Sequence, residues 1–217
     1  MNNTFIVTGG DIDISFAKRY YEENDITLVI AVDNGLLALS KLKIKPDVIV
    51  GDFDTVDSSL LGKYEGIAEI IKFNPEKDNS DTEIAIDVAM ERESFAIHII
   101  GGFGNRIDHM LANISLLKKT LDAGIDTVIF DKNNRVFALG NKRKTVEIKK
   151  SDFKYVSLIP FGGEVLGINT QGMKYELEND FLSPFEKISR GISNEILSDK
   201  AKISIEQGTL LVIESRD

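Results

Sequence analysis

The stretch "VIVGDFDTVD", Val48 to Asp57, runs a short apolar strand signal into a glycine and then into Asp52, Asp54 and Asp57. Carboxylates this close repel one another unless a cation, a proton or a basic group sits among them. A loop has no local need for two carboxylates one residue apart. Hard divalent cations such as Mg²⁺ want such oxygens, usually a few protein carboxylates completed by phosphate oxygens and water. Asp52 and Asp54 are therefore candidate metal ligands. Similar polar endings recur after other apolar runs: Gly9-Gly10-Asp11, Asp33-Asn34-Gly35, Asn74 to Asp78 running into Ser80-Asp81, and Gly101 to Arg106. In an open α/β sheet the ligand sits beyond the carboxyl ends of the strands. Glycine and carboxylate gather at that one edge.

"GGFGNRIDHMLAN" from Gly101 is a glycine-rich turn leading into a helix. Backbone N–H groups can approach a phosphate there, and the helix start adds positive potential. Arg106 offers a fork for phosphate oxygens. Asp108 is placed to cap the helix, while His109 and Asn113 lie four apart on one face. The spacing matches neither the Walker loop nor the dinucleotide fingerprint. Purely structural roles also exist: Ser80 to Glu83 fits a capping box, and Asp81 suits the helix dipole. His98 inside "FAIHII" reads as a core residue, and "NKRKT" at Asn141 as a solvated loop.

These residues need a scaffold. Over residues 1–133 short apolar strands alternate with helical spacing: "TFIVTGG", "ISFAKRYYEEN", "TLVIAVDNG", "LLALSKLKI" and onward to "DTVIFD". That rhythm predicts a doubly wound α/β domain, a mainly parallel sheet with helices on both faces. From residue 134 to 217 the helices fade. "RVFALG", "KTVEIK", "YVSLIP", "GEVLGIN", "AKISIEQG" and "TLLVIES" predict a second, all-β domain of sandwich or barrel type.

Composition bounds the function. The chain has 217 residues, 42% of them apolar, and a net charge of −9. That charge argues against a general nucleic-acid binder, which needs a basic footprint. No apolar run approaches membrane-spanning length, so no membrane partner is expected. With no cysteine, disulfides and thiolate zinc or redox sites are excluded. The start "MNNTFIVTGGD" lacks the features of a signal peptide, which makes a cytoplasmic location the default expectation.

The chain resembles the bacterial-type thiamine pyrophosphokinases (thiamine diphosphokinases). The resemblance covers nearly all of it and rests on "VDNG" at Val32, "PDVIVGDFDTVD" at Pro46, "KDNSDTEIAI" at Lys77, "GGFGNRIDHMLANISLL" at Gly101, "GMKYEL" at Gly172 and "GISNE" at Gly191. It implies an N-terminal α/β domain, a C-terminal β-sandwich and a homodimer with active sites at the subunit interface. It implies transfer of the terminal pyrophosphoryl unit of ATP to the thiamine hydroxyl, giving thiamine diphosphate and AMP. By carry-over Asp52, Asp54 and Asp81 would hold Mg²⁺, and Asp33 would complete the acidic catalytic cluster. Lys77, Asp78, Gly102, Arg106, Asp108, His109 and Asn113 fall in the nucleotide-binding stretches, and Ser193 and Asn194 in the part that approaches thiamine. Two features depart from many relatives. The chain has no Trp to pack on the thiamine ring, and Asn105 stands where a second glycine commonly precedes the Arg.

Two other readings fit parts of the pattern. Asp52 to Val56 also satisfies the D-x-D-x-[T/V] signature of haloacid-dehalogenase-like phosphatases, with Asp52 as nucleophile and Asp54 as acid–base partner. That motif usually follows a first strand rather than a third, and it leaves the β domain unexplained. A nucleotide- or thiamine-binding regulator would keep the fold without turnover.

Overall fold

The computed structural model describes residues 1–54, 56–73, 79–186 and 188–217. Its elements are, in chain order, β1 (Asn2–Val7), α1 (Ile14–Glu23), β2 (Leu28–Val32), α2 (Gly35–Leu42), β3 (Val48–Gly51), α3 (Ser58–Gly62), β4 (Glu69–Lys72), α4 (Asp81–Glu91), β5 (Ser94–Ile100), α5 (Ile107–Ala123), β6 (Asp126–Phe130), β7 (Asn134–Leu139), β8 (Thr145–Lys149), β9 (Tyr155–Pro160), β10 (Val165–Gln171), β11 (Asp180–Leu182), a 3₁₀ turn (Ile188–Gly191), β12 (Lys200–Ser204) and β13 (Leu210–Ser215). The chain separates into two compact units, residues 1–116 with 125–132, and residues 117–124 with 133–217. The last turns of α5 thus cluster with the second unit.

The first unit is built on parallel pairing in the order β4-β3-β2-β1-β5-β6. Strands β2 and β3 are buried from end to end, as strands covered on both faces are. Phe5, Val7, Val29, Ala31 and Ile49 turn one way and join Ala17, Leu36, Leu39 and Leu42 of α1 and α2 in one core cluster. The alternate residues Ile6, Ile30 and Ile97 are equally buried, and α4 packs across β1, β2, β3 and β5. Each such side chain contributes roughly 1.5–3 kcal/mol on burial. His98 of β5 is held between the Tyr20 hydroxyl on Nδ1 at 2.6 Å and Asn3 Oδ1 on Nε2 at 2.8 Å. It is a structural residue, as its place in an apolar strand implies.

Helix starts follow local chemistry. Asp13 accepts the Phe16 N–H at 3.0 Å and begins α1. Ser80 accepts the Glu83 N–H at 3.2 Å and begins α4, the expected capping box. Asp108 differs from expectation. It lies inside the first turn of α5, one residue past the helix start, and its carboxylate accepts from the Arg106 side chain.

The second unit contains the antiparallel triplet β7-β13-β9 and the four-stranded antiparallel sheet β11-β10-β12-β8. Leu139, Leu158, Leu210 and Val212 from the first meet Ile148, Ile168, Leu182 and Ile203 from the second in one core. The unit is a two-sheet β fold. Sequence pattern did not signal β11, since three residues are too few to show alternation.

Glu214 breaks the apolar rule. Period two along β13 carries it onto the face of Leu210 and Val212, where it is 2% exposed. Its cross-strand neighbour Arg135 brings Nη1 to 3.4 Å from Oε2. Burial pushes the carboxyl up, and Arg135 opposes this only in part. The charged form is therefore penalised in the folded state alone. That cost is absent below about pH 4, grows as pH rises through the folded-state pKa, and is complete above it. Glu214→Gln is expected to raise the melting temperature by about 2–4 °C at about pH 8, or roughly 1 kcal/mol. The gain should vanish near pH 4; scanning calorimetry showing a pH-independent difference would refute this account.

Candidate active site

Three strand ends and two helix starts of the first unit surround a cleft of about 520 Å³. Thr8, Gly9 and Gly10 follow β1, Asp33 and Asn34 follow β2, and Gly101, Gly102 and Gly104 to Arg106 follow β5. Ser80, Asp81 and Thr82 come from α4, and His109, Ala112 and Asn113 from α5. The walls stand close because glycine permits it. A Cβ on Gly10 would overlap the backbone carbonyl of Gly101, so the loop after β1 lies directly against the glycine-rich loop.

The acidic side of the cleft carries the strongest electrostatic signal. Asp33 has φ +45°, uncommon for a residue with a side chain. Its carboxyl is pushed up to about 7, first by burial, then by the charge and hydrogen bond of Asp81 and by the charge of Asp52. The Phe53 backbone N–H opposes the shift. Among the described residues Asp33 Oδ1 is sealed without a hydrogen-bond partner. A half-buried carboxyl that shares a field with Asp81 and Asp52 is stabilised by a cation or a shared proton. No three His, Cys, Asp or Glu side chains among the described residues form a ready-made metal site. A cation here would draw on substrate oxygens and water for its remaining ligands, as Mg²⁺ does.

The GDFD loop sits beside this group. Phe53 has φ +64°, and Asp52 turns its Oδ1 back to accept the Asp54 N–H at 3.0 Å. Asp54 is exposed. Asp52, Asp54 and Asp108 do not themselves line the cleft, although the charge of Asp52 is felt at Asp33.

On the opposite side Arg106 pairs bidentately with Asp108, Nε to Oδ1 at 3.3 Å and Nη2 to Oδ2 at 2.5 Å. That pair holds the Asp108 carboxyl down at about 2. Both side chains are about two-thirds exposed, so the pair costs little to open. His109 is exposed at the cleft wall. Asn113 is buried and donates to the Gly102 carbonyl at 2.9 Å, which ties α5 to the glycine-rich loop. Lys77 and Asp78 lie outside the described residues. Thr8, Asn34 and Thr82 line the cleft without having been singled out from sequence. Only Asn34 carried a signal, its place between Asp33 and Gly35.

The second unit presents its own polar cluster. Asn194 is buried, and its Oδ1 accepts the N–H groups of Tyr175 at 3.0 Å and Glu195 at 2.9 Å. Its Nδ2 donates to the Tyr175 carbonyl at 2.7 Å. One side chain thus satisfies both backbone polar groups of Tyr175, a residue 63% exposed with Lys174 Nζ 5.6 Å from its ring centroid. Ser193 has φ +56° and is exposed, its N–H donating to Ser157 Oγ at 3.0 Å.

The family model described as thiamin pyrophosphokinase, catalytic domain, matches residues 19–129. A second, thiamin pyrophosphokinase, vitamin B1 binding domain, matches residues 143–210. The thiamine pyrophosphokinase of Bacillus subtilis is 32% identical over the full length of both chains. The chain belongs to the thiamine pyrophosphokinase family. It is an enzyme of the thiamine diphosphokinase class. The thiamine pyrophosphokinase crystal structure from Bacillus subtilis superposes with a TM-score of 0.88 at 30% identity, covering 99% of each chain. That from Geobacillus thermodenitrificans gives 0.85 at 29%, covering 99% of this chain and 97% of the other. The yeast enzyme shares the fold, with a TM-score of 0.77 at 17% identity. The thiamine pyrophosphokinase catalytic match spans the cleft from Asp33 to Asn113, and the second match holds Tyr175, Ser193 and Asn194. No described helix is long and apolar enough to cross a membrane.

Gly51 offers a test of the acidic side. A Cβ there would overlap Asp33 Oδ1 and press on the Asp33 Cγ and the Phe53 ring edge. Gly51→Ala should displace that carboxylate. Misplacement by about 1 Å can cost on the order of 10²-fold in turnover. Activity within threefold of the parent would show that the position of Asp33 does not matter.

Proposed function

We propose that the chain catalyses Mg²⁺-dependent transfer of the pyrophosphoryl unit of ATP to the thiamine hydroxyl. The alcohol oxygen bonds to the β-phosphorus, the bond from that phosphorus to the α,β-bridging oxygen breaks, and AMP leaves with the bridging oxygen. The hydroxyl proton passes to a carboxylate or to solvent. The observation that carries this reading is the cleft itself. It brings the coupled carboxyls of Asp33 and Asp81 together with a glycine-rich loop and Arg106 at one edge of a parallel sheet. The family membership supports the same chemistry.

In this reading Asp52, Asp54 and Asp81 hold Mg²⁺, with Asp33 completing the acidic cluster. Bound there, the ion would supply charge screening for the transferred group and the leaving AMP. Arg106 turns from Asp108 to phosphate oxygens, which accept the same bidentate donors. Gly102 and its neighbours bring backbone close to phosphate, and Asn113 fixes that loop through the Gly102 carbonyl. His109 borders the nucleotide. Lys77 and Asp78 belong to the same proposal on sequence alone.

In the β unit Ser193 offers a hydroxyl. Tyr175 is the aromatic surface we assign to the thiamine ring in the absence of Trp. Its support is the exposed ring and the double backbone hold by Asn194. A tyrosine face attracts a cationic ring by roughly 0.5–2 kcal/mol. Homodimerisation with shared sites is part of the same reading, and light scattering together with activity on dilution tests it.

Purified protein with Mg²⁺, ATP and thiamine should yield AMP and thiamine diphosphate in equal amounts by chromatography. ADP with thiamine monophosphate would move the attack to the γ-phosphorus, and free phosphate alone would favour the phosphatase chemistry. Asp81→Asn should lower turnover by at least about 10²-fold, with partial recovery at raised Mg²⁺ if it is a metal ligand. Tyr175→Ala should raise KM for thiamine about tenfold, with Tyr175→Phe close to the parent. An unchanged KM would remove Tyr175 from the site.

A further inference from the structure

Thr82 is the second residue of α4, an 11-residue helix. It is 8% exposed and lines the cleft. Its neighbours Ala85, Ile86 and Ala89 are buried, which puts Thr82 on the sheet-facing side of the helix, at its cleft end. The hydroxyl has no hydrogen-bond partner among the described residues. Nor does it belong with Asp33 Oδ1 and Thr127 Oγ1, the described side-chain atoms sealed without a partner. As a cleft-lining residue, Thr82 can present that hydroxyl to a ligand there. Thr8, the other nearly buried threonine there, differs: its hydroxyl donates to the Ile100 carbonyl at 3.3 Å.

Helix capping does not account for this hydroxyl. Ser80 takes the Glu83 N–H through its side chain and the Ile84 N–H through its carbonyl, so the start of α4 is capped without Thr82. Valine would fill the same buried volume and present no polar atom to be satisfied. A free hydroxyl at a helix N-terminus, where the dipole favours negative charge, is a donor suited to an anionic oxygen. Asp81, immediately before it, faces the same cleft.

We infer that the Thr82 hydroxyl is a further nucleotide-binding group, donating to a phosphoryl oxygen of ATP bound in this cleft. This rests on the nucleotide occupying the cleft as proposed above. The hydroxyl contributes binding and orientation to the triphosphate, and neither the metal ligands nor the attacking alcohol need it. It differs from Arg106 in kind: a short neutral donor on a helix, against a long cation on a loop edge.

Thr82→Val removes the hydroxyl and keeps the branched shape; Thr82→Ser keeps the hydroxyl. Binding of Mg-ATP to the full chain is measured by calorimetry without thiamine, alongside steady-state kinetics and melting temperature. A hydrogen bond to a charged oxygen is worth enough that Thr82→Val should weaken Mg-ATP binding about tenfold. KM for ATP should rise in parallel, with KM for thiamine and the melting temperature little changed. Thr82→Ser should bind within about threefold of the parent. If valine is not tolerated, Thr82→Ala must show the same weakening. Parent-like binding by the valine variant, or equal weakening by the serine variant, overturns the inference while a turning-over parent leaves the proposed function standing. A parent that binds no Mg-ATP overturns both.

Discussion

Asp33 and Asp81 come within hydrogen-bonding reach of each other inside a partly buried cleft, with the charge of Asp52 added from the adjoining loop. Left to itself this arrangement is unfavourable, since burial and like charge both oppose ionisation. The surrounding fold holds it in place nonetheless. Asp33 sits at positive φ, and so does Phe53 across from it, while Gly51 leaves room for the Asp33 carboxylate where any Cβ would intrude. Backbone strain of this sort costs on the order of 1–3 kcal/mol per residue and persists where the structure around it over-determines the conformation. Here the over-determination comes from β2 and β3, buried throughout and paired in parallel register.

The remainder of the cleft answers that negative edge with donors. The glycine-rich loop is pressed against the loop after β1 and pinned by Asn113, so its backbone is positioned before any ligand arrives. Arg106 by contrast is held, among the described residues, by an exposed pair with Asp108. Rigid loops and an exchangeable guanidinium suit a polyanion that must enter, be oriented and leave again. In the β unit the same economy of means appears at Asn194. Its amide serves both backbone polar groups of Tyr175 as a neighbouring strand would, and frees the tyrosine ring to face outward.

Much of the scaffold was legible from the chain. Fully apolar short runs such as Val48 to Val50 can only belong to strands buried on two faces, and Thr145 to Lys149 alternates as a half-covered strand must. The Ser80 cap was readable because it needs only three neighbouring residues. The Asp108 carboxylate has both a helix N–H and a guanidinium two residues away within reach. Local sequence does not rank those alternatives. Thr82 escaped notice for a similar reason: a threonine after a capping box looks like helix filling until the cleft beneath it is seen.

What the sequence by itself determined is therefore the order of elements, the two-unit division by pattern, and the gathering of glycines and carboxylates at strand ends. These depend on period, polarity and turn chemistry, which act over a few residues. Tertiary structure alone decided which carboxylates share a field, which of their oxygens is left without a partner, and which hydroxyl is left free in the cleft. It also decided that Asn194 braces Tyr175 across 19 residues. Those outcomes depend on distances between segments far apart in the chain and on how much water remains between them, and Coulomb and desolvation energies change steeply with both.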